Sequence, residues 1–156
     1  RSRILVPESR PLLQGSRLTA WELEREGIPY KLCCESALGA IYSKEKVNAT
    51  ITGADRIARN GDTANKTGTL IHALLCKEYG VPFYIAAPYS TFDTNCPDGA
   101  SIPIEQRGAH EVRRIQGVMT APAEANAVNP AFDVTPGSLI KGFITEEGIL
   151  QPPFGD

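Results

Sequence analysis

Short apolar segments alternate with helix-like segments through the first half of the chain. The extended segments are apolar or β-branched and end near proline or glycine, as buried parallel strands often do. They lie at 3–8, 28–34, 46–53 and 82–88, and the helix-like segments lie at 16–27, 36–44 and 62–80. Strands and helices in this order predict an α/β fold with right-handed crossover connections. We expect a Rossmann-like, three-layer arrangement with a parallel sheet and helices on both faces.

The predicted helix ends follow from capping residues. Ser16 is expected to cap the first helix, which Gly27 would end. Asp62 or Thr63 is expected to cap the helix over 62–80.

The second half of the chain is less regular, because prolines divide it into short extended pieces and turns. Segment 138–145 is expected to be a helical turn leading into a last strand, followed by a C-terminal tail from residue 148. With 156 residues, of which 42% are hydrophobic, the chain is expected to form one domain around one core.

Charge and hydropathy exclude several classes of protein. The net charge of −2 provides no general attraction to nucleic acid or to an anionic membrane. No apolar run reaches the roughly 18 residues of a membrane span, and no signal peptide pattern is present. We therefore expect a soluble, cytoplasmic protein that binds neither nucleic acid nor membrane.

The four cysteines favour reduced thiols over disulfides or metal sites. Cys33, Cys34, Cys76 and Cys96 form no C-x-x-C pair, and the two histidines do not complete a zinc pattern. We expect the first three thiols to be buried and structural, and Cys96 to be more exposed. His72 is expected to be packed in a helix and His110 to face solvent. No cluster of possible ligands has metal-binding spacing, so no metal is expected. No G-x-G-x-x-G follows the first strand, so no nicotinamide cofactor is expected.

The segment "GADRIARNGDTANKTGT" (53–69) concentrates polar side chains after a predicted strand. Asp55, Asn65 and Lys66 would lie where parallel α/β folds bind ligands, and the free N–H groups of a helix start would suit a phosphate. The alternative is that the acids only cap the helix and that Lys66 is simply solvated. The loop at 7–15, which carries Gln14, follows the first strand and could face the same crevice.

Four motifs in order closely resemble the methylthioribose-1-phosphate isomerase family. They are "ESRPLLQGSRLTAWEL" (8–23), "GADRIARNGDTANKTGT" (53–69), "IPIEQR" (102–107) and "NPAFDVTP" (129–136). The resemblance implies an aldose–ketose isomerase of methionine salvage acting on a phosphorylated sugar. It implies that Asp55 is the catalytic acid/base and that Gln14, Asn65 and Lys66 bind the substrate.

The same resemblance implies a longer enzyme. The family's catalytic cysteine and an N-terminal helical domain would precede Arg1, so the 156 residues are expected to be the C-terminal catalytic domain and to be inactive alone. A homodimer is also expected. Apolar residues between 142 and 154, namely Phe143, Ile144, Ile149, Leu150 and Phe154, are expected to form an interface.

Two alternatives stay open at the level of sequence. The letters "GAD" and "NK-x-GT" also occur in ribose-1,5-bisphosphate isomerase and in the alpha, beta and delta regulatory subunits of translation initiation factor 2B. The first alternative differs in substrate, and the second is a binding protein without turnover. The segment "RIARNGDTA" resembles the methylthioribose-phosphate branch.

Overall fold

A computed structural model describes residues 3–151 of the chain. The strands are β1 Ile4–Pro7, β2 Tyr30–Cys33, β3 Thr50–Thr52, β4 Arg56–Ala58, β5 Thr63–Lys66, β6 Phe83–Ala86, β7 Phe92–Asp93, β8 Arg114–Ile115, β9 Val118–Met119, β10 Phe132–Thr135, β11 Gly142–Thr145 and β12 Gly148–Leu150. The α-helices are α1 Ala20–Arg25, α2 Leu38–Lys44, α3 Thr69–Tyr79 and α4 His110–Arg113. The fold is therefore mixed α/β, as the sequence predicts.

The chain divides into two compact units. The first comprises residues 1–41 and 106–130, and the second comprises residues 42–105 and 131–156. A division into compact units does not show whether they fold separately, so the expectation of one domain stays a prediction.

The first unit contains a parallel β1–β2 pair in which Ile4 lies opposite Tyr30. A π-helical turn, Gly15–Thr19, and α1 connect the two strands, and Gly27 follows with φ of 64°. The predicted end of this helix is thus confirmed. The predicted cap is wrong, since Ser16 already lies inside the helical turn and its hydroxyl donates to the Leu13 carbonyl.

The other segment of the first unit contains a half-buried ion pair to which the buried Asn129 is added. The Arg107 guanidinium donates to the Glu111 carboxylate, with Nε 2.8 Å from Oε2, and the Asn129 amide donates to the same oxygen at 2.9 Å. These donors, Arg107 first, outweigh partial desolvation and lower the pKa of Glu111 to about 2. The cluster fastens both ends of segment 106–130 together.

The second unit contains a four-stranded sheet in the order β12-β11-β6-β3. The strands β3, β6 and β11 are parallel, and Phe83, Ile85 and Phe143 on them are almost fully buried. The last strand of the sheet, β12, is antiparallel and lies where a tail was expected, so that expectation is wrong for residues 148–150. Residues 152–156 lie outside the described part of the chain.

A second sheet, in the order β10-β5-β4-β7, overturns the predicted helix start. Residues 63–66 form strand β5, which pairs antiparallel with both β4 and β10, and the helix begins only at Thr69. Two constraints explain the difference. Thr63 and Ala64 are almost completely buried between neighbouring strands, and Gly68 has φ of 110°, a conformation that favours glycine and interrupts regular structure.

The most deeply buried residues of α3 are not its leucines. Thr69, His72, Ala73 and Cys76 are buried, whereas Ile71 and Leu74 are 58% and 50% exposed. The expectation of a packed His72 is confirmed, and His110 is exposed as expected.

The expected interface near the chain end is wrong in its composition. Phe143 is 1% exposed and belongs to the core, whereas Ile149 is exposed and Phe154 lies outside the described residues.

Within residues 3–151, no helix combines the length and hydropathy that a membrane span requires.

Two fully buried threonines, which face each other across β5 and β10, give a matched test of the core. Thr63 donates to the Gly61 carbonyl at 3.1 Å, whereas the Thr135 hydroxyl has no hydrogen-bond partner among the described residues. We expect Thr135→Val to leave the free energy of unfolding unchanged or raise it by about 1 kcal/mol, and Thr63→Val to lower it by about 1 kcal/mol. Urea unfolding measures both, and a larger loss for Thr135→Val would contradict the assignment.

Candidate active site

Asp55 follows strand β3 and opens a hairpin rather than a loop into a helix. Its N–H donates to the Ala64 carbonyl at 2.9 Å, which joins the start of β4 to β5. The Asp55 side chain is exposed in the described chain. The neighbouring Arg56 pairs with Asp93 at 3.5 Å, so its charge is directed to β7.

Asn65 and Lys66 lie at the end of β5, before the turn into α3. The Asn65 amide nitrogen lies 2.8 Å from the Thr69 hydroxyl oxygen, and that hydroxyl lies 2.8 Å from the Lys66 carbonyl. The Lys66 ammonium lies 4.7 Å from the centre of the Phe132 ring on β10. The aromatic ring restricts the position of the Lys66 side chain without neutralising the ammonium group, so this group can still bind an anion.

The start of α3 already holds an anion of the protein itself. The Asp133 carboxylate accepts from the N–H of Gly68 at 2.7 Å and from the N–H of Leu70 at 3.0 Å. The expectation that these N–H groups are free for a ligand phosphate is therefore wrong. Asp133 lies within "NPAFDVTP", but its role depends on pairing with a strand distant in sequence.

Asp62 does not cap the helix, because it lies before β5 and binds two other segments. Its carboxylate accepts from the N–H groups of Gly99 and Gly137, both at 2.9 Å, and from the Asn60 amide at 2.9 Å. Partial desolvation alone would raise the pKa of Asp62, but these donors outweigh it and place the pKa below its ordinary value. Asp62 thus fixes the loop before β5 to the turns at 99–101 and 137–139.

Gln14 lies in the first unit, whereas Asp55, Asn65 and Lys66 lie together in the second. Its side chain is exposed at the end of a tightly folded loop, in which Ser9 and Leu13 have φ of 61° and 57°. The next residue must be glycine, since a Cβ on Gly15 would lie 1.8 Å from the Pro7 carbonyl oxygen.

The cysteines differ from expectation in two places. Cys76 is buried as predicted, but Cys34 is exposed, and Cys96, expected to be exposed, is buried among Ala58, Ala64 and Ile102. Partial burial, followed by the adjacent Cys34 and nearby carboxylates, raises the pKa of the Cys33 thiol. Among residues 3–151, no three histidine, cysteine or acidic side chains are grouped to hold a metal ion.

A shallow hollow of about 370 Å³ lies on the second unit. It is lined by Asn60, which belongs to the 53–69 motif, and by five residues from later in the chain, namely Gly137, Ser138, Ile140, Lys141 and Gln151. None of the four predicted site residues lines it.

The sequence profile of the Initiation factor 2 subunit family matches residues 1–152. The chain belongs to the Initiation factor 2 subunit family.

The similar members of the family include proteins named methylthioribose-1-phosphate isomerase. Those of Yersinia enterocolitica and Syntrophomonas wolfei are 51% and 55% identical over 96% and 95% of this chain, which covers 44% and 43% of their lengths. The chain thus spans less than half the length of the curated relatives it matches.

Two solved structures have closely similar folds. The 5-methylthioribose 1-phosphate isomerase of Pyrococcus horikoshii OT3 has a TM-score of 0.94 and 44% identity over 97% of this chain and 42% of its own. The translation initiation factor eIF-2B subunit delta of A. fulgidus has a TM-score of 0.91 and 40% identity over 97% of this chain and 44% of its own.

The role assigned to Asp62 predicts an acid-sensitive loss of stability. At pH 7 we expect Asp62→Asn to lower the free energy of unfolding by about 1.5–3 kcal/mol, because an amide nitrogen would face a backbone donor. Since the folded pKa is lowered, the contribution of Asp62 is complete above the ordinary value of 3.8 and is lost as pH falls through the folded pKa.

Urea unfolding of the parent chain and of Asp62→Asn between pH 7 and pH 2.5 measures the difference between their free energies of unfolding. Asp98→Asn is the matched control, because the Asp98 carboxylate accepts, among the described residues, from Ser101 alone and binds no second segment. We expect the control to cost about 1 kcal/mol or less. An Asp62→Asn effect that does not shrink on acidification would show that its carboxylate charge has no such role.

Proposed function

We propose that the chain is the C-terminal catalytic domain of a methylthioribose-1-phosphate isomerase. The enzyme would convert 5-methylthioribose 1-phosphate into 5-methylthioribulose 1-phosphate in methionine salvage. The observation that carries the proposal is the identity of 51–55% over almost the whole chain to relatives that bear this name. The grouping of Asp55, Asn65 and Lys66 on one hairpin supports it.

Asp55 is proposed as the catalytic acid/base. When the sugar ring opens, the ring oxygen gains a proton. When the C2 hydroxyl becomes a carbonyl, its oxygen loses a proton and the hydrogen on C2 is moved to C1, which balances the oxidation of C2 with the reduction of C1. A carboxylate transfers protons best when it is partly shielded from water, and Asp55 is exposed in the described chain. The proposal therefore requires a further segment to cover Asp55.

Lys66 and Asn65 are proposed as substrate-binding residues. The Lys66 ammonium, held above the Phe132 ring, is a suitable partner for a phosphate. Gln14, in the first unit, is proposed as a further contact on the basis of its motif. No bound metal or nicotinamide cofactor enters this proposal.

The longer enzyme would supply what this chain lacks. The resemblance places a helical N-terminal domain and a catalytic cysteine before residue 1, and we propose that both complete the active site. We also propose a Rossmann-like three-layer core, a cytoplasmic location and a homodimer. Exposed apolar side chains on two helical surfaces support an association of this kind: Leu18, Trp21, Ile71 and Leu74.

A regulatory subunit of the initiation factor type is the second candidate. The TM-score of 0.91 to the eIF-2B delta subunit favours it, because one fold can serve both catalysis and binding. Turnover separates the candidates.

The first functional prediction concerns Asp55 in the active, longer protein. The 156-residue chain preceded by the N-terminal segment of the Syntrophomonas wolfei relative, here called the joined protein, provides the assay. We expect Asp55→Asn to lower its kcat by about 10²–10⁴, because the amide cannot transfer a proton. Glu45→Gln, which changes another exposed carboxylate, is the control and should retain activity. Near-normal turnover by Asp55→Asn would refute the assignment.

The second functional prediction concerns the chain alone. We expect it to fold cooperatively but to turn over 5-methylthioribose 1-phosphate at least about 10³-fold more slowly than the joined protein, because the proposal assigns further proton-transfer and positioning groups to the N-terminal segment. Activity of both proteins is compared at equal concentration, with circular dichroism to verify folding. Full activity of the chain alone would overturn the two-domain mechanism, and inactivity of both would favour the regulatory candidate.

A further inference from the structure

The Thr69 hydroxyl has two close partners and only one hydrogen to share. Its oxygen lies 2.8 Å from the Lys66 carbonyl oxygen and 2.8 Å from the Asn65 side-chain amide. A carbonyl oxygen can only accept, so the Thr69 hydrogen must be donated to Lys66. Thr69 is buried, with 4% of its surface exposed, so water does not readily replace either partner.

This arrangement determines which end of the Asn65 amide faces Thr69. If the amide were rotated, its oxygen would face a hydroxyl oxygen whose only hydrogen is already donated, and two acceptors would meet at 2.8 Å. The amide nitrogen must therefore face Thr69. The orientation of the Asn65 amide is therefore set by the one hydrogen of the Thr69 hydroxyl and by the acceptor to which it is donated.

The Asn65 amide oxygen is then directed toward the segment that carries Asp55. A Cβ built on Gly53 would lie 4.0 Å from Asn65 Oδ1, so this oxygen faces the glycine two residues before Asp55. Among the described residues, the Asn65 side chain makes its hydrogen bond through the nitrogen, which leaves the oxygen available to accept.

We propose that Thr69 is a positioning residue that holds the Asn65 amide with its oxygen toward the ligand, so that the site selects a hydroxyl group at this point. The inference rests on the proposed function. A sugar hydroxyl can donate to the amide oxygen, whereas a phosphate dianion offers only acceptors. Asn65 therefore recognises a sugar hydroxyl, and the phosphate is left to cationic and N–H donors such as Lys66.

The orientation of Asn65 is tested in the 156-residue chain by nuclear magnetic resonance. In ¹⁵N-labelled protein, the side-chain amide of Asn65 is assigned from its loss in Asn65→Asp, and the exposed amide of Asn95 serves as the internal reference. We expect the Asn65 amide protons to exchange about tenfold more slowly than those of Asn95. Thr69→Val should abolish this difference, and Thr69→Ser should retain it.

Thr135→Val is the matched control. It makes the same change at another buried threonine, whose hydroxyl has no partner among the described residues. Its Asn65 amide should exchange as in the parent chain. Equal exchange of Asn65 and Asn95 in the parent chain, or unchanged protection in Thr69→Val, would overturn the positioning role.

Selection of a hydroxyl is tested in the joined protein, once it is active. The 2-deoxy and 3-deoxy analogues of 5-methylthioribose 1-phosphate are assayed as competitive inhibitors. We expect one of the two analogues to bind about tenfold more weakly than the parent sugar. In Thr69→Val this difference in affinity should fall below about threefold. In Thr69→Ser and Thr135→Val it should stay about tenfold.

The outcomes separate this inference from the function on which it rests. If the parent sugar is turned over but neither deoxy analogue is bound more weakly, hydroxyl selection is wrong and the isomerase assignment stands. If the parent sugar is not bound at all, the proposed function and the ligand part of the inference both fail, while the exchange measurements still decide whether Thr69 orients Asn65.

Discussion

The Asp133 carboxylate at the start of α3 is the interaction on which the arrangement of the candidate site depends. Asp133 lies on β10 directly opposite Asn65 on β5, and its two oxygens accept from the N–H groups of Gly68 and Leu70. An anion at this position satisfies unpaired donors and is stabilised by the helix dipole. One side chain therefore joins a strand, the end of its neighbour and the first turn of a helix.

The consequence for the site is a rigid turn between β5 and α3. Gly68 supplies the positive φ that the turn needs, and Thr69 links the side chain of Asn65 to the backbone of Lys66. The Asn65 amide oxygen and the Lys66 ammonium are positioned by the buried Thr69 and the half-buried Phe132 rather than by the ligand. Such preorganisation reduces the entropy that a ligand would otherwise lose on ordering the site.

Charged groups in this unit are divided between holding the fold and facing solvent. Asp62 and Asp133 bind backbone N–H groups, whereas Asp55 has an exposed side chain and binds only through its own backbone. The exposed Asp55 carboxylate, on the same hairpin as Asn65 and Lys66, fits the proposal that a second segment covers the site. The coverage of less than half of each curated relative is consistent with that view, which remains a proposal.

Local patterns in the sequence were sufficient to locate several elements of the fold. The strands β1, β2 and β6, helix α2 and the end of α3 at Gly80 lie where apolar runs and glycines predicted them. The sequence also marked Asp55, Asn65 and Lys66 as a group, because one short motif carries all three. Tertiary structure decided that residues 63–66 are a strand, because their partner β10 lies almost seventy residues later and its pairing overrides local capping signals. It likewise decided that Asp133 occupies the helix start, that Cys96 is buried and that Phe143 belongs to the core. Each of these depends on contacts between residues far apart in sequence, which no local pattern contains.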